Sequence, residues 1–437
     1  MSQDPTPNTL LAGIARADIT PPVGIRSVGF ASRGPLVRFH DPLSATVLVL
    51  AEGERRAALI ACDLLGLDAG TVAEVRDAIE GQTGIPGPSV TVACSHTHYG
   101  PDPYRTLDDP LVSAYRANLI HTLAGSVREA VSALQPVHLG VGWGTSDIGV
   151  NRREKLPDGR VILGQNPEGP IDRAVGVLRV DGVDGTPLAC LVNHQTHPVS
   201  QRGAMDHISA DYPGKMRELV ESLTGARCLF LQGACGDINA AIMEHSYEPA
   251  RTLGVRLGCE VVRMWETISV LPVTGLDVQS QPVHLPTIRY GSLEQAQALV
   301  ESLRADIERL RAEGAVDALV TWAEKRLDRA QDALTSWQTG VLPEPVVSEI
   351  QAWRAGAWGL VTAPGEIFNQ IGVETKDRSP LTDTFFVSCA NDSIGYVPVA
   401  EAYADGGYEV ERASKVDPGA ARVLTEACVG LLGDLAG

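Results

Sequence analysis

Two histidines, His96 and His98, stand one residue apart in Val92-Ala93-Cys94-Ser95-His96-Thr97-His98-Tyr99-Gly100-Pro101, where an apolar run enters a Gly/Pro turn. Residues 89–93 are rich in β-branched side chains and predict a strand, which residues 99–103 (Tyr-Gly-Pro-Asp-Pro) cannot continue. The pair is therefore expected at a strand's C-terminal end. Residues i and i+2 of a strand share a face, so both imidazoles are expected to address one ligand, and neutral imidazole is the usual nitrogen ligand of zinc. A turn histidine hydrogen-bonded to backbone is the competing reading, and the pair alone does not choose.

Four further loops carry useful side chains, each following or flanking a strand-like run. Val192-Asn193-His194-Gln195-Thr196-His197-Pro198-Val199-Ser200 again sets histidines at a strand end. Ala363-Pro364-Gly365-Glu366 presents a carboxylate from a Pro-Gly turn. Gly395-Tyr396-Val397-Pro398 continues to Tyr403 and Tyr408. Gly233-Ala234-Cys235-Gly236-Asp237-Ile238-Asn239-Ala240 holds a thiol, a carboxylate and an amide. No histidine stands beside Cys235 in sequence, so a nucleophilic role for it is disfavoured.

The elements behind these loops alternate. Strand-like runs at residues 45–50 and 57–62 precede a helical pattern at 69–79, and a longer one at 110–134 leads to a run at 138–142. Residues 175–180, 188–192, 228–231, 358–362 and 385–389 read as buried strands, and 418–435 as a helix. The implied fold class is α/β, a layered mixed β-sheet with flanking helices. Over residues 293–337, Leu293, Ala296, Val300, Leu303, Ile307 and Leu310 recur at helical steps, Gly314 interrupts, and Leu319, Trp322, Ala323, Leu327, Ala330 and Leu334 resume. This predicts a helical hairpin, spanning 292–338, inserted in a single catalytic domain (8–437). Its charged positions Glu301, Arg304, Glu308 and Arg311 read as a solvated face, and the hairpin is a candidate site of homo-oligomer contact.

Composition narrows the class. The chain has 437 residues, 44% of them hydrophobic, which is ample for a large core. Lys plus Arg number 36 against 54 Asp plus Glu; the formal charge of -18 disfavours nucleic acid and anionic membrane surfaces. Residues 1–7 lack the basic and apolar regions of a signal peptide and are expected to be flexible. No segment has the roughly 18 continuous apolar residues of a membrane span, so no stable membrane association is expected and a cytoplasmic location is the default. The eight cysteines have no zinc-ribbon spacing; Cys62, Cys94, Cys190, Cys228 and Cys389 lie in apolar runs and read as reduced core thiols.

Taken in order, the motifs resemble those of the neutral/alkaline ceramidases, zinc-dependent amide hydrolases. The resemblance begins at Gly13-Ile14-Ala15-Arg16-Ala17-Asp18-Ile19-Thr20 and runs through Ser95-His96-Thr97-His98-Tyr99-Gly100-Pro101 and Asn151-Arg152. It continues through His197-Pro198-Val199-Ser200, Ser209-Ala210-Asp211-Tyr212, Gly236-Asp237, Pro364-Gly365-Glu366 and residues 396–408, nearly the whole chain. It implies that His96, His197, Glu366 and Tyr396 hold one Zn²⁺, the Pro-Val-Ser after His197 favouring it over His194. The bland alternatives are a capping or salt-bridged Glu366 and an ordinary strand aromatic at Tyr396. The resemblance further assigns His98, Arg152 and Tyr408 to the neighbourhood of the developing oxyanion, with His98 as proton shuttle; a surface ion pair is the rival use of Arg152.

The departures carry equal weight. Where ceramidases have a catalytic serine and a proline after Gly-Asp-x, this chain has Asn239 and Ala240. Asparagine forms no acyl intermediate but hydrogen-bonds a substrate, so Asp237 and Asn239 are expected to position substrate while metal-activated water attacks. The chain also ends soon after the last motif, where such ceramidases carry a C-terminal β-sandwich. The expectation is a zinc hydrolase acting on an amide, N-acyl or lactam-type, of a small soluble molecule, with residues 105–110 and 396–408 lining its pocket. A zinc esterase or lactonase is the near alternative, and a noncatalytic binding protein on the same scaffold the distant one.

Overall fold

Side-chain alternation along the strands decides the layering. In the strand Ser44–Glu52, Val47 and Val49 enter one hydrophobic cluster while Leu48 and Leu50 enter another, and all four are fully buried. A strand apolar on both faces needs a packed layer on each side. The computed structural model, which describes residues 9–30, 33–203, 205–315 and 317–437, supplies both layers. The expectation for residues 1–7 lies outside the described residues.

The main sheet has eight strands in the order Arg227–Gln232, Pro187–His194, Ala174–Gly182, Gln135–Thr145, Leu11–Asp18, Ser44–Glu52, Arg55–Cys62 and Val90–Cys94. The helices Ala69–Thr83 and Pro110–Ser132 cover one half of its outer face through Val72, Val75, Leu119 and Leu123. Asp211–Thr224 and Glu248–Trp265 cover the other half, where Tyr212, Met216 and Leu257 meet Val177, Val192 and Phe230. The inner face packs on a second sheet, Asp277–Leu285, Val346–Ala355, Trp358–Thr362 and Asp383–Val387, which contributes Trp353, Leu360 and Phe385. The next residues along those strands, Val361 and Phe386, point outward to Leu424 and Leu431 of the C-terminal helix Ala420–Ala436. The layers are thus helix, sheet, sheet, helix, a mixed α/β fold. Each fully buried Leu, Val or Phe side chain contributes roughly 1.5–3 kcal/mol, so the two-sided strands dominate stability.

The helical hairpin is built as its periodicity indicates. Leu293–Ala312 begins at Ser292, whose hydroxyl accepts from the Gln295 amide at 3.2 Å, and Gly314 takes φ +67 in the turn to Asp317–Thr339. Val300, Leu303 and Ala330 form the buried seam, while Glu301, Arg304, Glu308 and Arg311 are exposed. The hairpin interrupts the connection between Asp277–Leu285 and Val346–Ala355, which pair antiparallel with Leu285 opposite Val346. The sheet therefore closes independently of it. Among the described residues no helix is long and apolar enough to cross a membrane.

Candidate metal centre

Three parallel strand pairs aim their C-terminal ends at one place: Arg55–Cys62 with Val90–Cys94, Pro187–His194 with Arg227–Gln232, and Trp358–Thr362 with Asp383–Val387. Ligands gather outside the carboxyl ends of parallel strands because the loops there are held by the sheet yet free of the ladder. Backbone hydrogen bonds stitch these loops across the two sheets. The Cys94 amide donates to Cys389 O at 3.1 Å, Ser388 to Gln232 O at 2.8 Å, and Gly236 to Ile367 O at 2.7 Å.

His96 reaches the centre by a different route from the one its spacing suggests. The strand ends at Cys94 and His96 adopts φ 66, so the shared-face relation of two strand residues is not what unites it with His98. The chain leaves the ladder to bond the neighbouring loop, the Ser95 amide donating to Cys62 O at 2.8 Å and His96 to Leu64 O at 2.9 Å. That turn, tighter than an extended continuation, swings the imidazole inward.

Each of three imidazoles is held by a carbonyl on Nδ1: His96 by Leu65 O at 2.6 Å, His197 by Cys235 O at 2.8 Å, and His98 by Gly29 O at 3.2 Å. A carbonyl only accepts, so Nδ1 carries the proton and any metal must be met at Nε2. In His197 burial opposes charge, but Cys235 and Glu366 raise the pKa to about 9, so binding a cation there releases a proton. The ligand atoms of His96, His98 and His197 all lie within 4.8 Å of one another. Glu366 Oε2 lies 3.2 Å from Nε2 of both His96 and His197. These three Nε2 atoms and Glu366 Oε2 are buried without a hydrogen-bond partner. Leaving such an atom unsatisfied costs about 1–3 kcal/mol, and a divalent cation would relieve His96 Nε2, His197 Nε2 and Glu366 Oε2 together, leaving His98 Nε2 facing the same space. The donor set, nitrogen and carboxylate oxygen, suits zinc.

Electrostatics agree with a cation site. Burial works against ionisation of Glu366, yet His96 and His197 hold its carboxyl well below the usual carboxylate range. Burial, then the proximity of His96 and His197, keep the His98 imidazole well below its ordinary pKa and hence neutral. His194 makes a contrast: its Nδ1 meets Ala174 O at 3.1 Å, its Nε2 meets Thr196 Oγ1 at 3.1 Å, and burial lowers its pKa to about 4. It is a satisfied core histidine with no nitrogen to spare.

Tyr396 lies directly opposite Glu366 in the short parallel pairing of Glu366–Ile367 with Tyr396–Val397. Its hydroxyl accepts from Arg152 Nη2 at 2.9 Å. Arg152 also donates from Nε to Glu409 Oε1 at 2.7 Å and from Nη1 to Asn239 Oδ1 at 3.4 Å, and Arg153 donates to Glu409 Oε2 at 2.8 Å. Arg152 is buried rather than a surface ion-pairing residue, and although desolvation opposes its charge, Tyr396 and Glu409 keep it protonated. The Tyr408 ring stands edge-on to Tyr396 with centroids 5.8 Å apart. Asp237 braces the loops: its carboxylate accepts from the Asn369 amide at 2.8 Å and Asn151 Nδ2 at 3.2 Å, and burial lifts its pKa to about 6. Cys235 is fully buried, and its carbonyl serves His197.

Sequence reasoning missed Glu409 and Arg33. Glu409 is fully buried between two arginines, and the only signal was a charged residue directly following the tyrosine-rich motif. Arg33 donates to His98 O and to Val28 O, the latter at 2.9 Å, tying down the loop that carries His98.

No protein-family model matches this chain, and no curated protein matches it in sequence. Solved structures do match in fold. The crystal structure of neutral ceramidase from Pseudomonas aeruginosa superposes with a TM-score of 0.73 at 20% identity, covering 98% of this chain and 75% of that one. A ceramidase complexed with C2 gives 0.74 at 18% identity over the same shares. The chain has a ceramidase-like fold, with a buried cluster of three histidines able to hold a metal ion at the mouth of its parallel strands.

Proposed function

We propose that this protein is a zinc-dependent hydrolase that cleaves an amide, of N-acyl or lactam type, in a small soluble substrate. The observation that carries the reading is the convergence of unpartnered His96 Nε2, His197 Nε2 and Glu366 Oε2, beside the Tyr396 hydroxyl. These four residues would hold the ion. Zinc supplies Lewis-acid polarisation of a carbonyl and acidifies water toward neutral pH.

The remaining groups have distinct tasks. Neutral His98, held at Nδ1 by Gly29 O, can take a proton at Nε2 and pass it to the leaving amine. Arg152 fixes the Tyr396 hydroxyl and places a buried positive charge where the carbonyl oxygen becomes negative. The Tyr408 hydroxyl, without a hydrogen bond in the protein among the described residues, is free to donate to the same oxygen. Asn239, where ceramidases carry serine, offers an amide to orient substrate but no nucleophile, which favours direct attack by water. Asp237 acts from behind, its carbonyl accepting the Arg152 amide at 2.8 Å.

Metal analysis and a panel of matched amides and esters test the reading. Zinc-loaded protein is expected to hydrolyse amides, lose activity to a chelator and regain it with zinc, while His98→Asn keeps its metal and loses about 10²–10⁴ in rate. Turnover of esters alone would make it an esterase; stoichiometric zinc with no turnover would make it a binding protein; absence of zinc affinity would end the proposal.

A further inference from the structure

His98 shares the space that His96 and His197 face, yet a different part of the chain holds it. Its ring centroid lies 5.0 Å from that of His96 and 5.2 Å from that of His197, against 4.5 Å between those two. The ligand atoms of all three lie within 4.8 Å of one another. Glu366 nevertheless pairs with His96 and His197 and not with His98. An unpartnered imidazole nitrogen so close to a divalent cation would join its ligands unless the ring were held back.

The restraint comes from a strap of the chain, residues 25–30 and 33–36. Its ends are clasped where Ile25 and Leu36 bridge antiparallel, the Leu36 amide donating to Ile25 O at 2.9 Å. Ser27 bridges Pro101 and the Asp102 amide donates to Arg26 O at 3.1 Å, which ties the strap to the turn after His98. Three of its residues grip His98 itself. Gly29 O accepts from Nδ1 at 3.2 Å; Gly29 takes φ +98, and a Cβ there would lie 2.5 Å from that nitrogen, so any other residue would displace the ring. The Phe30 ring meets the imidazole edge-on with centroids 5.1 Å apart, and a Cβ at Gly203 would lie 2.8 Å from Phe30 Cδ1, so Gly203 makes room for it. Arg33 donates to His98 O, to Val28 O at 2.9 Å, to Ser27 Oγ at 3.0 Å and to Met205 O at 3.3 Å, with its guanidinium 5.0 Å from the Phe30 centroid. His96 and His197 are held instead by the carbonyls of Leu65 and Cys235.

We propose that this strap selects the metal's ligand set. Gly29, Phe30 and Arg33 are positioning residues that act through His98: they fix its imidazole as a neighbour of the ion and keep it from becoming a third imidazole ligand. His98 Nε2 then stays free to carry a proton, and one coordination position stays open to water or substrate. The selection presupposes His96, His197, Glu366 and Tyr396 as ligands, and the proton role of His98 rests on the hydrolase reading.

Cobalt(II) loaded in place of zinc supplies a spectroscopic readout, because its visible bands report coordination number and donor type. The full-length protein is compared with Phe30→Ala, Phe30→Tyr, His98→Asn and the double variant Phe30→Ala/His98→Asn. Phe30→Ala is expected to change the bands and to bind metal about tenfold tighter through the added imidazole, whereas Phe30→Tyr keeps the ring and the wild-type values. His98→Asn should keep the wild-type spectrum, and the double variant should return to it. Arg33→Lys keeps the charge but loses the fork that spans Val28 O and His98 O, so it carries the same expectation where Phe30→Ala fails to fold. A wild-type spectrum in both Phe30→Ala and Arg33→Lys, a change that survives removal of His98, or a changed spectrum in His98→Asn alone would overturn the selection. A His98-dependent change without amide turnover in any form would leave the selection standing and remove the hydrolase reading; amide turnover with an invariant spectrum would do the reverse. Wild-type protein that binds no cobalt would remove the ligand assignment and the selection together.

Discussion

Glu366 and Tyr396 are register partners in a two-residue parallel pairing, so two side chains that are remote in sequence are fixed as neighbours by backbone alone. The pairing requires Gly365 to take φ +81, with the Glu366 amide donating to Gly395 O at 2.9 Å. A Cβ at Gly365 would lie 2.3 Å from that same Gly395 oxygen.

Gly365→Ala is accordingly expected to separate Glu366 from Tyr396 and to weaken zinc binding by more than about tenfold, with a stability loss above the roughly 1–2 kcal/mol of left-handed strain alone. Gly84→Ala is the control, since Gly84 has φ +72 but open space around its Cβ position. That variant should show the strain cost and keep its metal. Equal zinc affinity in both variants would show that the pairing does not set the site.

Removing one partner of the buried Arg152–Glu409 pair should be expensive. Glu409→Gln leaves Arg152 and Arg153 short of a counter-charge in a site where the Glu409 side chain is 1% exposed. Denaturant unfolding is expected to show a loss of about 3–5 kcal/mol, against less than about 1 kcal/mol for exposed Glu74→Gln, whose pair with Arg116 is solvent-screened. Similar small losses at both positions would contradict the buried network.

His194 and His197 provide the sharpest comparison between neighbours. His194→Gln removes hydrogen bonds to Ala174 and Thr196 and should lower stability while leaving zinc stoichiometry at one. His197→Gln removes an orphaned Nε2 and should abolish stoichiometric zinc. Metal analysis after gel filtration reads both.

Asp211 gives a pH signature. Burial raises its pKa to about 6 from the ordinary 3.8, despite hydrogen bonds from Ser200 and Tyr212. Between those values the folded state keeps a proton that the unfolded state has released, so this group's contribution falls as pH rises through the window and is lost above it. The span corresponds to about 3 kcal/mol. Asn tolerates the left-handed backbone at this position, φ 54, and does not titrate. The stability of Asp211→Asn relative to wild type should therefore improve by that order between pH 4 and pH 7; a pH-independent difference would contradict it.

The legible parts of the sequence were those where one side-chain property repeats. The runs ending at Cys94 and Leu231 declared buried strands, and the three- and four-residue steps from Leu293 to Leu334 declared the hairpin. The second sheet's first strand was hidden because Asp277–Leu285 carries Gln279, Ser280, Gln281 and Pro282 in sequence, a polar edge with no apolar run. Gly149–Lys155 was hidden likewise, since Arg152, Arg153 and Glu154 spend their charge on partners that only the fold supplies. Apolar residues on both faces of Ser44–Glu52 were visible, but not that a second sheet rather than helices covers one face. At the site, the histidines stood out by type, whereas Glu366 and Tyr396 were reached through the resemblance, because no spacing links residues joined by tertiary register.

The most direct measurement is an anomalous difference map at the zinc edge from crystals of the zinc-loaded protein. A single dominant peak at about 2.0–2.2 Å from His96 Nε2, His197 Nε2 and Glu366 is expected, with the Tyr396 hydroxyl in the same coordination sphere. A map with no peak among these residues, or with zinc bound only elsewhere on the molecule, would contradict the account.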